Sequence, residues 1–323
     1  MNNTVSIFDT SYSTLNVGDE IIMDSVNREL SEIFTNNEIF FRVSSHAGFG
    51  RGARKVVSRS KEKIIGGTNL LTSDQRLIRG NQWEIKYKDI RAINDVTLMG
   101  VGWQQYQKEI TGTTKYIYNN ILSKHKYHSV RDNYTKGKLE ELGFKNILNT
   151  GCPTIWRLNS KLCESITTEK SRNVITTITD YRSDPVLDEK MLKTLKSEYE
   201  NVYLWIQGSG DLDYFNTFSK DIRNNITLIP PRLRDYDDYL EKIESLDFVG
   251  TRLHAGIRAM QKGKRSLIVS VDNRATEMGK DFNLNVMERT DIDSLRANIN
   301  SQIKTDVKLP IEDIKLWKSQ FKN

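Results

Sequence analysis

Residues 248–271 read FVGTRLHAGIRAMQKGKRSLIVSV, and this stretch decides the fold. An apolar run ends at Gly250, a loop carries Thr251 to His254, apolar residues recur at helical spacing over 255–261, and a second strand-sized apolar run fills 266–271. Strand, helix, strand is the repeating unit of a parallel sheet, because parallel neighbours need a crossover and the crossover helix buries its apolar face on the sheet. Outward from there the second half repeats the unit. Strands are predicted at 174–179, 202–206, 226–229 and 285–287, with helices at 186–199, 212–222, 236–245, 275–280 and 292–303. The first half alternates less regularly, with strands at 5–8, 63–65, 97–101, 127–130 and 147–149 and helices at 20–33, 114–124 and 133–142. The pattern predicts an α/β fold of two Rossmann-like domains facing across a cleft, with ligands bound where the carboxyl ends of the strands meet.

A chain of 323 residues suits two domains of about 150 each. The polar, aperiodic segment 159–172 is the predicted linker, which gives an N-terminal domain over 1–164, a C-terminal domain over 165–309 and a helix in 310–323 packing back on the first domain. Hydrophobic residues make up 37% and charged residues 28%, with five prolines, so a sizeable core is available and disorder is excluded. No apolar run approaches the ~20 residues of a membrane-spanning helix, and the start of the chain has neither the basic nor the apolar region of a secretory signal, so a cytoplasmic location is expected. Cys152 and Cys163 stand alone, outside any metal-ligand spacing, and are read as reduced thiols with no metal site.

The net charge of +6 comes from 48 basic against 42 acidic residues, mostly intermixed. One stretch is lopsided: Arg51, Arg54, Lys55, Arg59, Lys61 and Lys63 are offset only by Glu62. It reads either as a solvated face or as a patch for anionic membrane or an acidic acceptor. Nucleic acid is not expected as a partner, because no recognition motif accompanies the charge.

The loops that follow strands carry the chemistry. Asn16, Gly18 and Asp19 precede a helix that Asp19 can cap. Gly66 and Gly67 follow a strand and form either a turn or a backbone cradle for an anion. Asp211, after Gly208-Ser209-Gly210, reads as a helix cap. Arg131 ends a strand beside Asp132, placed either for a phosphate or carboxylate or for a surface ion pair. Arg252 and His254 sit two apart after Gly250, and His254, one of four histidines, is the nearby side chain able to give up a proton near neutral pH; a core or capping histidine is the alternative. Arg274 follows the strand at 266–271. Three arginines and a histidine at the ends of separate strands suit a small, highly charged anion converging on one hollow. The arginines and the helix N-terminus disfavour imidazolium in an empty site, so protonation is expected to couple to anion binding.

These motifs in this order resemble the polysaccharide pyruvyl transferase family: Asn-x-Gly-Asp at 16–19, Gly-Gly at 66–67, Val-Arg-Asp at 130–132, Gly-Cys-Pro-Thr at 151–154 and, most specific, Gly-Thr-Arg-Leu-His at 250–254. The resemblance runs over nearly the whole length. It implies a GT-B-like fold, no cofactor, and phosphoenolpyruvate as co-substrate, whose pyruvyl group is installed as a ketal across two hydroxyls of a glycan that is free or lipid-linked. It further implies donor binding by Arg131, Arg252 and Arg274, with His254 as general acid and acceptor or loop contacts from Asn16, Gly18, Asp19 and Gly67. Members often carry lysine where Arg274 stands. A glycan acceptor on a lipid carrier would bring the protein to the inner face of the membrane. Two rival readings remain open at this point: a nucleotide-sugar glycosyltransferase of the same fold, separable by its product, a nucleotide in place of inorganic phosphate, and a glycan-binding protein that releases no phosphate.

Overall fold

The computed structural model describes residues 3–35, 37–48, 50–77 and 80–322 and divides the chain into two units. The first comprises Met1–Thr14, Ile22–Trp156 and Leu309–Asn323, the second Leu15–Ile21 and Arg157–Lys308.

The chain first runs through β1 (Thr4–Asp9), α1 (Gly18–Ile33, of which Ile22 onward belongs to the first unit), β2 (Ile39–Ser44), α2 (Arg51–Val57), β3 (Glu62–Gly66), β4 (Thr97–Met99), α3 (Gly112–Ile121), β5 (His128–Val130), α4 (Asn133–Glu141) and β6 (Ile147–Asn149). The sheet order is β2-β1-β3-β4, all parallel, and a parallel bridge from Val101 to Val130 continues it to the β5-β6 pair. Val5, Ile7 and Phe8 of β1 are fully buried, as expected of a central parallel strand with both faces covered. The edge strand β2 is absent from the sequence-based expectation. It is only partly buried and carries Arg42, so its apolar signal is diluted. The lopsided basic stretch does not form one free patch: Arg54 donates to Asp89 Oδ1 at 3.0 Å and Lys63 is buried in β3, where burial lowers its pKa.

In the second unit follow α5 (Ser160–Ser165), β7 (Asn173–Thr176), α6 (Pro185–Glu198), β8 (Asn201–Trp205), α7 (Asp211–Asn216), α8 (Lys220–Arg223), β9 (Ile226–Ile229), α9 (Leu233–Lys242), β10 (Leu246–Gly250), α10 (Leu253–Gln261), β11 (Ser266–Ser270), α11 (Asn273–Phe282), β12 (Val286–Glu288) and α12 (Leu295–Asn300). The sheet is parallel in the order β12-β11-β10-β7-β8-β9. The chain lays strands outward from β7 to β9, then returns to the other side of β7 with β10. That reversal opens a crevice at the carboxyl ends of β7 and β10, the place where doubly wound sheets hold ligands. The segment 159–172 is not a bare linker: Asn159 accepts from the Leu162 N–H at 3.0 Å, starting α5, whose Cys163 is buried. The helix predicted over 212–222 is two short ones, α7 and α8, and 292–303 opens as a 3-10 turn before α12.

The last helix, α13 (Ile311–Ser319), belongs to the first unit. Its Trp317 is fully buried, donates from Nε1 to the Leu98 carbonyl at 3.0 Å and packs edge-on to Trp156 with ring centroids 5.7 Å apart.

Candidate functional site

The loop after β10 is stitched to the loop after β7. Thr251 N donates to the Thr177 carbonyl at 3.0 Å, the Thr251 and Thr179 hydroxyls meet at 2.8 Å, and Arg252 N donates to Thr177 Oγ1 at 3.1 Å. Arg252, the N-cap of α10, turns its side chain toward the end of β7 and is 3% exposed. Its Nε donates to the Ile178 carbonyl at 3.1 Å, and its Nη2 donates to Asp180 Oδ1 at 3.0 Å and to Asp211 Oδ1. No partner for Nη1 is seen among the described residues. Asp211, the first residue of α7 and not its cap, also accepts from the Gly208 N–H at 2.7 Å. Burial pushes its carboxyl up, while the Arg252 guanidinium and the Gly208 N–H draw it back toward the charged form. A Cβ at Gly208 would stand 2.3 Å from Arg252 Nη2, so a side chain there would displace the guanidinium.

His254 lies in the first turn of α10 and is 6% exposed. Arg274 is the second residue of α11, which follows β11. Its Nε donates to both Asp272 oxygens at 3.0 Å, its Nη2 donates to Asp272 and to the Tyr181 hydroxyl, and its Nη1 too is without a partner among the described residues. Tyr181, on the 3-10 turn after β7, joins the two arginines: Arg252 Cζ lies 4.9 Å and Arg274 Cζ 5.7 Å from its ring centroid. Three carboxylates thus accompany two guanidiniums. An anion here would be recognised by directed N–H donors and not by net charge.

The Asn16 to Asp19 segment also belongs to this unit, at the end of β8. Asn16 forms a bridge with Gly208, and its Oδ1 accepts from Gln207 Nε2 at 2.7 Å and from the Gly18 N–H at 3.1 Å. Asn16, not Asp19, therefore satisfies the start of α1; Asp19 is buried in its first turn. The backbone donor fixes which Asn16 atom is oxygen, and that in turn orients the Gln207 amide and leaves its Oε1 buried without a partner. A side chain at Gly18 would collide with Gln207 Nε2 at 2.6 Å.

Arg131 and Gly67 lie in the first unit, and local packing accounts for both. Arg131 is fully buried; Nε donates to Asp132 Oδ2 at 2.8 Å, Nη1 to Asn69 Oδ1 and Nη2 to the Trp103 carbonyl at 3.4 Å. It is buried and so no surface ion pair, and each of its three guanidinium nitrogens has a protein acceptor. Asp132 caps α4 as its sequence position predicts, accepting from Thr135 N at 2.7 Å. Gly67 takes φ +60°, its N–H donates to the Met99 carbonyl at 2.8 Å, and a Cβ would lie 2.0 Å from Ile22 Cγ2. The glycine pair brings the loop against α1, and the Gly67 N–H is committed to the sheet and not to an anion.

Sequence reasoning missed Asp180, Tyr181 and Gln207. Their position directly after β7 and β8 was the available signal. Among the described residues no group of three or more His, Cys, Asp or Glu could hold a metal ion, and no helix is long and apolar enough to cross a membrane.

The family model described as polysaccharide pyruvyl transferase matches residues 16–273. No curated protein matches the sequence. Among solved structures, the S. aureus MnaA–UDP co-structure aligns at 10% identity and TM-score 0.51, covering 96% of this chain and 92% of that one. UDP-GlcNAc 2-epimerase from Neisseria meningitidis bound to UDP-GlcNAc aligns at 11% identity and TM-score 0.49, over 99% of this chain and 100% of that one. At such identity the first likeness shows the fold alone, two Rossmann-like units of the GT-B-like kind.

Proposed function

The chain belongs to the polysaccharide pyruvyl transferase family, and from that premise we propose that it moves the pyruvyl group of phosphoenolpyruvate onto two hydroxyls of a glycan, closing a ketal ring and releasing phosphate. The observation that carries this reading is the pair of Nη1 groups of Arg252 and Arg274, left over at the carboxyl ends of β10 and β11 beside the His254 turn. Each is a charge-assisted donor for a phosphate or carboxylate oxygen, and such bonds contribute roughly 1.5–3 kcal/mol. The carboxylates on the other edges hold each fork in one orientation.

Phosphoenolpyruvate is an enol ester, and its C2 becomes electrophilic when C3 takes a proton. His254 gives that proton. The first glycan hydroxyl adds at C2 and loses its proton, phosphate leaves with the C–O electron pair, and the second hydroxyl closes the ring and loses the other proton. His254 recovers one of them. We assign the acceptor to the Asn16 to Asp19 segment, with Asp19 as the carboxylate that takes a hydroxyl proton. In this reading Arg131 orients the Asn69 loop. No cofactor or metal takes part, and a lipid-linked acceptor would bring the protein to the inner, cytoplasmic face of the membrane.

The test is incubation of the protein with phosphoenolpyruvate and a panel of glycans, following inorganic phosphate and the mass of each glycan. Phosphate together with a glycan heavier by a pyruvate ketal supports the reading. Consumption of a nucleotide sugar with phosphoenolpyruvate untouched would favour glycosyl transfer, and binding of glycan without any phosphate would favour a silent binding protein.

A further inference from the structure

Tyr181 is a half-exposed tyrosine on the turn after β7 whose contacts are unusual for a surface side chain. Both guanidiniums of the site lie against its ring, at 4.9 Å and 5.7 Å from the centroid, and its hydroxyl accepts from Arg274 Nη2. Among the described residues no other ring meets two guanidiniums. Two like charges just after strands β10 and β11 repel each other, and their carboxylate partners answer them along separate edges: Asp180 and Asp211 for Arg252, Asp272 for Arg274. Only the ring is common to both. Its negative π face attracts each cation, and the hydroxyl fixes the rotation of Arg274.

We propose that Tyr181 is the positioning residue that holds Arg252 and Arg274 as a pair, so that their two remaining Nη1 groups select a small ligand bearing two separate anionic groups over a ligand bearing one. This rests on the reading of the arginines as the donor site given above. A tyrosine with no such part would tolerate truncation, since surface substitutions away from special contacts change little.

The experiment compares the full chain with Tyr181→Phe and Tyr181→Ala by calorimetric titration of three probes: phosphoenolpyruvate, pyrophosphate and inorganic phosphate. In Tyr181→Ala the affinity for phosphoenolpyruvate and pyrophosphate is expected to fall about tenfold or more, and that for inorganic phosphate by less than about twofold. Tyr181→Phe keeps the ring and is expected to recover most of the loss. With turnover as readout, the defect falls in the KM for phosphoenolpyruvate while kcat at saturation stays within about threefold, the split expected of lost binding common to ground and transition states. Equal losses for all three probes, no loss for any, or a Tyr181→Phe variant as weak as Tyr181→Ala would overturn the proposal. If wild type ignores phosphoenolpyruvate while pyrophosphate shows the tenfold loss, the pairing stands and the donor assignment falls. Unchanged melting temperatures in the variants establish that both remain folded.

Discussion

Asp211 Oδ1 accepts from Arg252 Nη2 where both side chains are almost wholly out of water, 0% and 3% exposed. A buried pair of this kind gives less by its presence than it costs when half of it is removed, because the remaining charge is stranded. Asp211→Asn is expected to lower unfolding free energy by about 3 kcal/mol, read from denaturant midpoints at constant slope, and to raise the KM for phosphoenolpyruvate by releasing the Arg252 fork. A variant with wild-type midpoint and KM would mean that Asp180 alone suffices to hold Arg252.

Removing the imidazole separates chemistry from binding. His254→Gln is expected to slow phosphate release by about 10²–10⁴-fold, the usual contribution of a general acid, while titration calorimetry finds a far smaller loss of donor affinity, the part that imidazolium adds to anion binding. Near-normal turnover in this variant would take His254 out of the mechanism.

A second histidine predicts an acid limb in stability. His128 is buried in β5; its Nδ1 accepts from Leu98 N at 3.2 Å and its Nε2 donates to the Ser123 carbonyl at 2.7 Å. Burial lowers its pKa to about 4, with the Ser123 carbonyl and Asp95 opposing that shift. The folded value lies below the unfolded one of about 6.5, so between the two the unfolded chain holds more protons and stability rises with pH. The contribution is whole above pH ~6.5 and is lost as pH falls toward 4, about 3 kcal/mol in all. Urea unfolding of wild type and His128→Gln from pH 7 to 4 should differ in slope over that window. Parallel curves would refute the assignment.

Gly67→Ala should destabilise the first unit by about 3 kcal/mol, because a side chain at φ +60° is strained and its Cβ would meet Ile22 Cγ2 at 2.0 Å. Pairing it with Ile22→Ala relieves the clash but not the backbone strain. A double-mutant cycle should therefore show a favourable coupling of about 1 kcal/mol or more. Strict additivity would place the cost entirely in the backbone.

Much of this site was legible because it follows strands. Arg252, His254 and Arg274 come directly after two apolar runs, and runs of that length in a parallel pattern set both the topology and the edge at which the residues stand. What escaped is what depends on partners distant in sequence. Tyr181 looks like any loop tyrosine until β7 and β11 are set in order and Arg274 reaches it. Asn16 reads as part of a local cap, whereas Gln207 is its far partner. Arg131 has the local context of an anion ligand, and Asn69 and the Trp103 carbonyl, invisible to any window, close it off. Gly67 reads first as a turn and second as an anion cradle, and its N–H to the Met99 carbonyl and the Ile22 side chain against it fit the turn.

Trp317 donates to the Leu98 carbonyl from a helix translated after every residue of the second unit. A nascent chain therefore cannot finish the first unit when that unit's own strands leave the ribosome; Trp156 and the Leu98 carbonyl wait for a segment still unmade. The unit whose strands are made first is completed only after the other, and until then it offers an open hydrophobic seam to any chaperone in reach.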